Sequence, residues 1–130
     1  MIRVLIADDH RLVRQGLALL LESATDIQVV GEAREGHEAV EMTTRLLPDV
    51  VLMDADMPRL DGLQATQIIR SSGLPSKVII LTAMSDENLQ RKALANGAQA
   101  YLLKTSERDQ LTAAVRAAYA EGTSGATPKP

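Results

Sequence analysis

Residues 49–54 form the sequence Asp-Val-Val-Leu-Met-Asp, in which four apolar residues are enclosed by Asp49 and Asp54. A short, continuous apolar run of this kind is typical of a strand buried on both faces of a parallel sheet. Pro48, directly before the stretch, ends the preceding helix because proline has no backbone N–H and clashes with the preceding turn. The stretch therefore predicts a buried strand that follows a helix and ends on a carboxylate.

Similar apolar runs lie on both sides of this strand along the chain. The predicted strands are Ile2 to Ala7, Ile27 to Gly31, Val50 to Met53, Val78 to Leu81 and Ala100 to Leu103. Helical spacing of apolar residues predicts helices at 11–23, 36–47, 63–72, from Ser85 or Asp86 to Asn96-Gly97, and 107–120. The alternation predicts βαβ units, right-handed crossovers and a parallel sheet covered on both faces.

Apolar stripes on the predicted helices identify the side chains expected to pack inward. They include Leu17, Leu20 and Leu21 in the first helix, Leu47 in the second, Ile68 and Ile69 in the third, Leu94 in the fourth, and Leu111 and Val115 in the fifth. A chain of this length can bury these residues and the strands in one domain.

The composition excludes several classes of function. The chain has 130 residues, 45% of them hydrophobic and 24% charged, and its formal net charge is −3. This acidic balance, together with only two aromatic residues, argues against direct nucleic-acid binding. Cysteine is absent, so disulfides, thiolate catalysis and cysteine-ligated zinc are excluded.

The two ends of the chain support separate expectations. Asp8 and Asp9 follow the N-terminus too closely for a signal peptide, and no apolar run is long enough to span a membrane, so we expect a cytoplasmic protein. Residues 122–130 have little to bury and predict a flexible tail or linker after a domain at 1–121.

Polar side chains with complementary chemistry follow four of the predicted strands. Asp8 and Asp9 follow the first strand, Asp54 the third, Thr82 the fourth and Lys104 the fifth. The carboxyl ends of parallel strands lie at one edge of the sheet, where open α/β sheets bind their ligands. We therefore expect these five side chains to form one site.

Clustered carboxylates repel one another, and a hard divalent cation such as Mg²⁺ relieves the repulsion through oxygen ligands. Asp54, at the end of the third strand, is the expected nucleophile for aspartyl-phosphate chemistry. Lys104 supplies a positive charge for phosphate oxygens, and Thr82 supplies a hydroxyl donor. The combination predicts phosphoryl transfer to Asp54.

Each residue also has a simpler interpretation when it is considered alone. An aspartate before a helix, such as Asp8 or Asp9, is more often a cap, and Asp61 before Gly62 is predicted to be a turn or capping residue. His10 and His37 are too far apart for a local metal motif and are interpreted as surface or capping residues. The placement at four strand ends favours the functional interpretation of the set.

The chain resembles the receiver domain of bacterial two-component response regulators, and most closely the LuxR/NarL-type subfamily. The resemblance covers residues 2–121 and rests on Val4 to His10, Asp49 to Asp54 with Met57-Pro58 and Asp61-Gly62, Ile80 to Ala83, Gly97-Ala98 and Tyr101 to Lys104. It implies a three-layer, doubly wound α/β fold of the flavodoxin-like type, with strand order 2-1-3-4-5. Residue by residue, it implies that Asp54 is the phosphoacceptor.

The same resemblance implies a Mg²⁺ (or Mn²⁺) site and a conformational switch. Asp9 and Asp54 would bind the metal directly, Asp8 would support them, and Asp56 would contribute its backbone carbonyl. Thr82 and Lys104 would contact the phosphoryl group. Thr82 and Tyr101 would form the switch pair. The switch would alter the surface around the fourth helix, fifth strand and fifth helix.

The resemblance also implies partners. These are a sensor histidine kinase as phosphodonor, a second copy of the chain on phosphorylation, and DNA only through a helix-turn-helix domain that this chain does not contain. No membrane partner is implied, and the chain is not expected to be a turnover enzyme. The composition of residues 122–130 favours a fragment that ends in its linker over an isolated receiver.

Two departures from the family pattern concern the site. Thr105 follows Lys104 where many receivers have proline after a cis bond, and a cis bond before threonine costs about 3 kcal/mol. Asp56 places a carboxylate where many relatives have a neutral or basic residue. We expect Asp56 to strengthen metal attraction and to alter dephosphorylation by acting on the attacking water.

Two other functions are compatible with parts of the sequence. Asp54-Ala55-Asp56 also resembles the Asp-x-Asp motif of haloacid-dehalogenase-type phosphatases, which use Mg²⁺. Their nucleophile normally ends the first strand, whereas Asp54 ends the third. The other alternative is a receiver-like interaction module that is never phosphorylated. The presence of the complete set of acidic residues, Thr82 and Lys104 argues against this alternative.

Overall fold

The computed structural model describes residues 1–123, with side chains described to residue 121. Five strands and five helices alternate along this part of the chain. They are β1 (Ile2–Ala7), α1 (Arg11–Glu22), β2 (Ile27–Ala33), α2 (Gly36–Leu46), β3 (Val50–Asp54), α3 (Gly62–Ser71), β4 (Lys77–Thr82), α4 (Glu87–Ala95), β5 (Ala100–Leu103) and α5 (Arg108–Thr123). Every predicted element is present. Helix α5 includes residues 122 and 123, and residues 124–130 of the predicted tail lie outside the described residues.

The strands form one parallel sheet in the order β2-β1-β3-β4-β5, as the resemblance implied. The strand order reverses beside β1, which pairs with β2 on one side and β3 on the other. Near their carboxyl ends Ala7 is in register with Met53, so the residues that follow β1 and β3 emerge beside each other. This is the topological switch point at which doubly wound sheets bind ligands.

Alternate strand residues supply two separate apolar clusters, one on each face of the sheet. On one face Leu5, Val51, Met53 and Ile80 pack with residues of α2, α3 and α4, such as Ala39, Ala65, Ile69 and Ala93. On the other face Val4, Leu52, Ile79 and Leu81 pack with residues of α1 and α5, such as Leu17, Leu21, Leu111 and Val115. The protein is therefore a three-layer sandwich whose central strands are covered on both sides.

Helix ends follow from local capping chemistry. Asp61 forms a reciprocal capping box with Gln64 at the start of α3, which confirms the capping prediction for this aspartate. Asp86, rather than Ser85, caps α4 by accepting the N–H groups of Asn88 and Leu89. Helix α2 ends at a left-handed Leu47, directly before Pro48.

Some of the inward positions predicted for the helices are wrong. Leu20, Leu47, Ile68 and Leu94 are all exposed. In α3, for example, Ala65, Thr66 and Ile69 occupy the buried face, and Ile68 lies one position beyond it. A stripe of apolar residues is wider than the face that a helix buries, so residues at its edge remain in solvent.

Two further observations concern the backbone. Within residues 1–123 no peptide bond is cis, so the bond from Lys104 to Thr105 is trans. In the same part of the chain, no helix has the length and apolar character needed to cross a lipid bilayer. The trans bond resolves the question that the Lys104-Thr105 sequence raised.

Candidate functional site

Side chains from three strand ends meet at the carboxyl edge of the sheet. Asp8 follows β1, Asp54 is the last residue of β3, and Lys104 follows β5. Lys104 Nζ lies 2.9 Å from Asp8 Oδ2 and 3.1 Å from Asp54 Oδ2. The lysine reaches both carboxylates because its long side chain extends across the end of β4, which separates β3 from β5.

The two carboxylates are almost completely removed from solvent, with 1% of Asp8 and 2% of Asp54 exposed. Their Oδ2 atoms are buried, and neither accepts a hydrogen bond of ordinary geometry from the described residues, so Lys104 is an ion-pair partner only. Two buried negative charges thus face one ammonium group. Such an excess is costly in a protein interior and favours a further cation.

The pKa values of Asp54 and Lys104 reflect this excess of negative charge. Burial, and then the charge of Asp8, raise the pKa of Asp54 to about 6, against the lowering effects of the Asp56 N–H and Lys104. Burial alone would lower the pKa of Lys104, but its close ion-pair contacts with the Asp8 and Asp54 carboxylates outweigh burial and raise it. Lys104 therefore stays positively charged and remains the counter-ion of both carboxylates.

Backbone contacts hold Asp54 in place. The N–H of Asp56 donates to Asp54 Oδ1 over 3.2 Å, and the N–H of Gly62 donates to the carbonyl of Ala55 over 3.0 Å. A Cβ atom at Gly62 would overlap the carbonyl oxygen of Asp54. The start of α3 thus packs directly against the backbone of the nucleophile candidate.

Asp8 has a structural contact as well as a place in the site. Its Oδ1 accepts the backbone N–H of His10 over 2.8 Å, which orders the turn into α1. Its Oδ2 faces Lys104. Asp8 therefore contacts the turn into α1 through one oxygen and Lys104 through the other, and the N-cap residue of α1 is His10, not Asp8.

Asp9 and His10 complete an acidic cluster at the entrance. His10 Nδ1 lies 3.1 Å from Asp9 Oδ1 and 3.2 Å from Asp8 Oδ1. One ligand atom each from Asp8, Asp9, His10 and Asp54 can be chosen so that all lie within 4.8 Å of one another. This donor set fits a divalent cation, because carboxylate oxygens dominate it and its charge is negative.

Sequence reasoning did not predict that His10 and Arg14 belong to this region. Arg14 is buried in α1, where its Nη1 donates to the carbonyl of Asp8 over 2.7 Å and its Nε donates to Glu32 over 3.1 Å. The position of Arg14 in the sequence could have predicted its burial, because residue 14 shares a helix face with Leu17 and Leu21.

The predicted switch residues lie beside the site and meet at one carbonyl group. The buried Thr82 hydroxyl donates to the carbonyl of Met84 over 3.3 Å, and so does the hydroxyl of Tyr101. Tyr101 also accepts the N–H of Asp86 over 3.2 Å. The two side chains are thus linked through the loop from β4 to α4. Asp56 has an exposed side chain next to a cavity of about 430 Å³ that Thr82 also lines.

Comparisons with known proteins identify the family and the fold of this chain. A family model described as the response regulator receiver domain matches residues 4–116. The transcriptional regulatory protein LiaR of Bacillus subtilis (strain 168) is 48% identical over 119 residues, which are 91% of this chain and 56% of LiaR. The chain thus spans about half the length of the curated relatives it matches.

Two solved structures are also similar. A two-component response regulator of the LuxR family from Aurantimonas sp. SI85-9A1 is 33% identical, with a TM-score of 0.86 over 91% of this chain and 84% of that one. A chain of the CheX–CheY–BeF3–Mg²⁺ complex from Borrelia burgdorferi is 26% identical, with a TM-score of 0.83 over 90% and 88%. Both therefore have the same overall fold as this chain.

Proposed function

The chain belongs to the response regulator receiver domain family, which acts in two-component phosphorelay signalling, and we propose that its phosphoacceptor is Asp54. The carrying observation is that the buried Asp54 carboxylate lies 3.1 Å from the Lys104 ammonium and beside a second buried carboxylate, Asp8. This arrangement places a nucleophile next to a fixed positive charge and a cation-binding cluster.

The proposed reaction is a phosphoryl transfer onto one oxygen of Asp54. The deprotonated carboxylate attacks phosphorus, an O–P bond forms, and the bond from phosphorus to the donor breaks. The donor, a phosphohistidine or acetyl phosphate, leaves with the electron pair of that bond. Lys104 stabilises the negative charge on the equatorial phosphoryl oxygens, and the fixed position of Asp54 keeps the attack in line.

A divalent cation, Mg²⁺ or Mn²⁺, would be held by Asp9 and Asp54 with support from Asp8. The backbone carbonyl of Asp56 is the remaining proposed ligand. The buried Oδ2 atoms of Asp8 and Asp54, which accept no ordinary hydrogen bond from the described residues and share one ammonium group, support such a site. When bound, the cation neutralises charge on the phosphoryl oxygens. The similar CheY complex is described with Mg²⁺, which is consistent with this proposal.

The response to phosphorylation is proposed to pass through Thr82 and Tyr101. A phosphoryl group on Asp54 offers new acceptor oxygens to the Thr82 hydroxyl, which at present donates to the carbonyl of Met84. If Thr82 releases that carbonyl, Tyr101 loses its link to Thr82 through the loop, and the surface of α4, β5 and α5 changes.

The partners follow from the family and remain proposals for this chain. We propose that the chain acts in the cytoplasm, with a sensor histidine kinase as donor, a second copy as partner after phosphorylation, and DNA contact only through a separate helix-turn-helix domain. A receiver that holds its phosphoryl group as a signal is not a turnover enzyme. The relatives are transcriptional regulators, and this does not favour the phosphatase alternative.

Acetyl phosphate with Mg²⁺, followed by intact-mass measurement, tests the phosphoacceptor directly. We expect one phosphoryl group on the wild type and on Asp109→Asn, which changes an exposed aspartate of α5. We expect none on Asp54→Ala. Phosphorylation that persists in Asp54→Ala would refute the proposal. Continuous release of phosphate from a small phosphoester would instead support the phosphatase, and no phosphorylation in any variant would support the interaction module.

A further inference from the structure

The ring of His10 is held by the acidic cluster and not by the helix it precedes. His10 is the N-cap residue of α1, but its side chain makes no capping hydrogen bond. Its Nδ1 instead lies 3.2 Å from Asp8 Oδ1 and 3.1 Å from Asp9 Oδ1. The imidazole nitrogen therefore points at the two carboxylates that follow β1.

These spacings are those of a hydrogen bond or an ion pair, and they are also close to the spacing between neighbouring ligands of a single metal ion. Two ligand atoms about 2.1 Å from one ion, at a right angle, lie about 3.0 Å apart, and opposite ligands lie about 4.2 Å apart. His10 Nδ1 has the first spacing to both aspartates. The whole set, with Asp54 included, spans no more than 4.8 Å. A small adjustment of side chains would thus bring the nitrogen and the carboxylate oxygens to one ion.

A second observation indicates a cation in the same cluster, on the side of the carboxylates that faces Lys104. The Oδ2 atoms of Asp8 and Asp54 are buried and accept no ordinary hydrogen bond from the described residues. Lys104 is the ion-pair partner of both, so the cluster of three carboxylates retains excess negative charge. A divalent ion satisfies both the charge and the ligand requirement.

We propose that His10 Nδ1 is a direct ligand of this metal site, so that the site favours Mn²⁺ and Zn²⁺ over Mg²⁺ more strongly than oxygen ligands alone would. The inference rests on the proposed function only in that the site binds a divalent cation. Imidazole nitrogen is a good ligand for first-row transition metals, whereas Mg²⁺ prefers oxygen and water. His10 thus determines which divalent ion the metal site binds preferentially.

Calorimetric titration of the tag-free chain with MgCl₂, MnCl₂ or ZnCl₂ tests metal preference. His10→Gln should weaken binding of Zn²⁺ and Mn²⁺ by about tenfold or more, while Mg²⁺ binding changes much less. His37→Gln is the matched control, because His37 has the same side-chain exposure of 66% and also lies near a carboxylate, Glu35. Unchanged Zn²⁺ and Mn²⁺ affinities in His10→Gln, or an equal loss for all three ions, would overturn the inference.

Electron spin-echo measurements on the Mn²⁺ complex provide a readout that is independent of affinity. We expect a directly bound imidazole nitrogen in the wild type and in His37→Gln, and its loss in His10→Gln. Cation binding without nitrogen coupling in the wild type would overturn the role of His10 alone. A wild type that binds none of the three ions would overturn the metal site of the proposed function as well.

Discussion

Lys104 Nζ lies 3.1 Å from Asp54 Oδ2, although β4 separates the strands that carry the two residues. The same ammonium group lies 2.9 Å from Asp8 Oδ2. The Lys104 ammonium group is therefore the shared counter-ion of two buried carboxylates, Asp8 after β1 and Asp54 at the end of β3. This shared ion pair opposes the burial and the Asp8 charge that raise the pKa of Asp54.

Lys104→Met removes the only ammonium group that these two buried oxygens contact in the described residues. We expect the pKa of Asp54 to rise further above about 6, because burial and Asp8 already raise it and a counter-charge is lost. Phosphorylation by acetyl phosphate should slow by about tenfold or more. Carboxyl-carbon NMR titration and intact mass measure the two effects. Lys77→Met, at the opposite edge of the sheet, should leave both unchanged.

Asp54→Asn should stabilise the metal-free protein at neutral pH. The folded pKa of Asp54, about 6, exceeds its ordinary value of 3.8, so protonated Asp54 is favoured by folding. This contribution is complete below about pH 4 and is lost as the pH rises through about 6. The variant should exceed the wild type by about 1–3 kcal/mol at pH 7.5 in EDTA, and the difference should shrink towards pH 4.

Denaturant unfolding across this pH range measures the difference between Asp54→Asn and the wild type. Added Mg²⁺ provides a further comparison, since it should stabilise the wild type more than the variant by mass action. A stability difference that stays constant from pH 4 to 7.5 would contradict the raised pKa of Asp54.

Gly62→Ala should destabilise the protein by about 2 kcal/mol or more. A Cβ at Gly62 would collide with the backbone carbonyl of Asp54, which cannot move without displacing the site. Gly16→Ala is the matched control, because a Cβ on that exposed helical glycine meets nothing within 4 Å. It should stabilise α1 by about 0.5–1 kcal/mol. Thermal unfolding of both variants measures the two changes in stability. Equal changes of the same sign would contradict the proposed collision at Gly62.

Asp56→Asn should slow the loss of the phosphoryl group and weaken Mg²⁺ binding. The exposed carboxylate of Asp56 lies two residues beyond Asp54 and lines the cavity beside Thr82, where an attacking water can enter. Decay of the phosphorylated protein, followed by intact mass, measures the rate, and Asp109→Asn controls for a lost surface charge. An unchanged decay rate would show that the Asp56 carboxylate has no role in dephosphorylation.

Local patterns were sufficient to predict the elements of the fold. The run from Val50 to Met53 predicted β3, and Pro48 predicted the end of α2, because strand burial and proline sterics act over a few residues. The predictions failed at residues such as Ile68, where the boundary of the buried face depends on which elements pack against the helix. The positions of Asp8, Asp54 and Lys104 at strand ends were predicted for the same reason as the strands.

The sequence by itself determined that Asp8, Asp54 and Lys104 lie at one edge of a parallel sheet, since each follows or ends a recognisable strand. Only the tertiary structure decided that Lys104 bridges both carboxylates, that His10 faces Asp8 and Asp9, and that burial raises the pKa of Asp54. Apolar periodicity is read within a few residues, whereas ion-pair distances and desolvation depend on strand order and on packing between residues far apart in the chain.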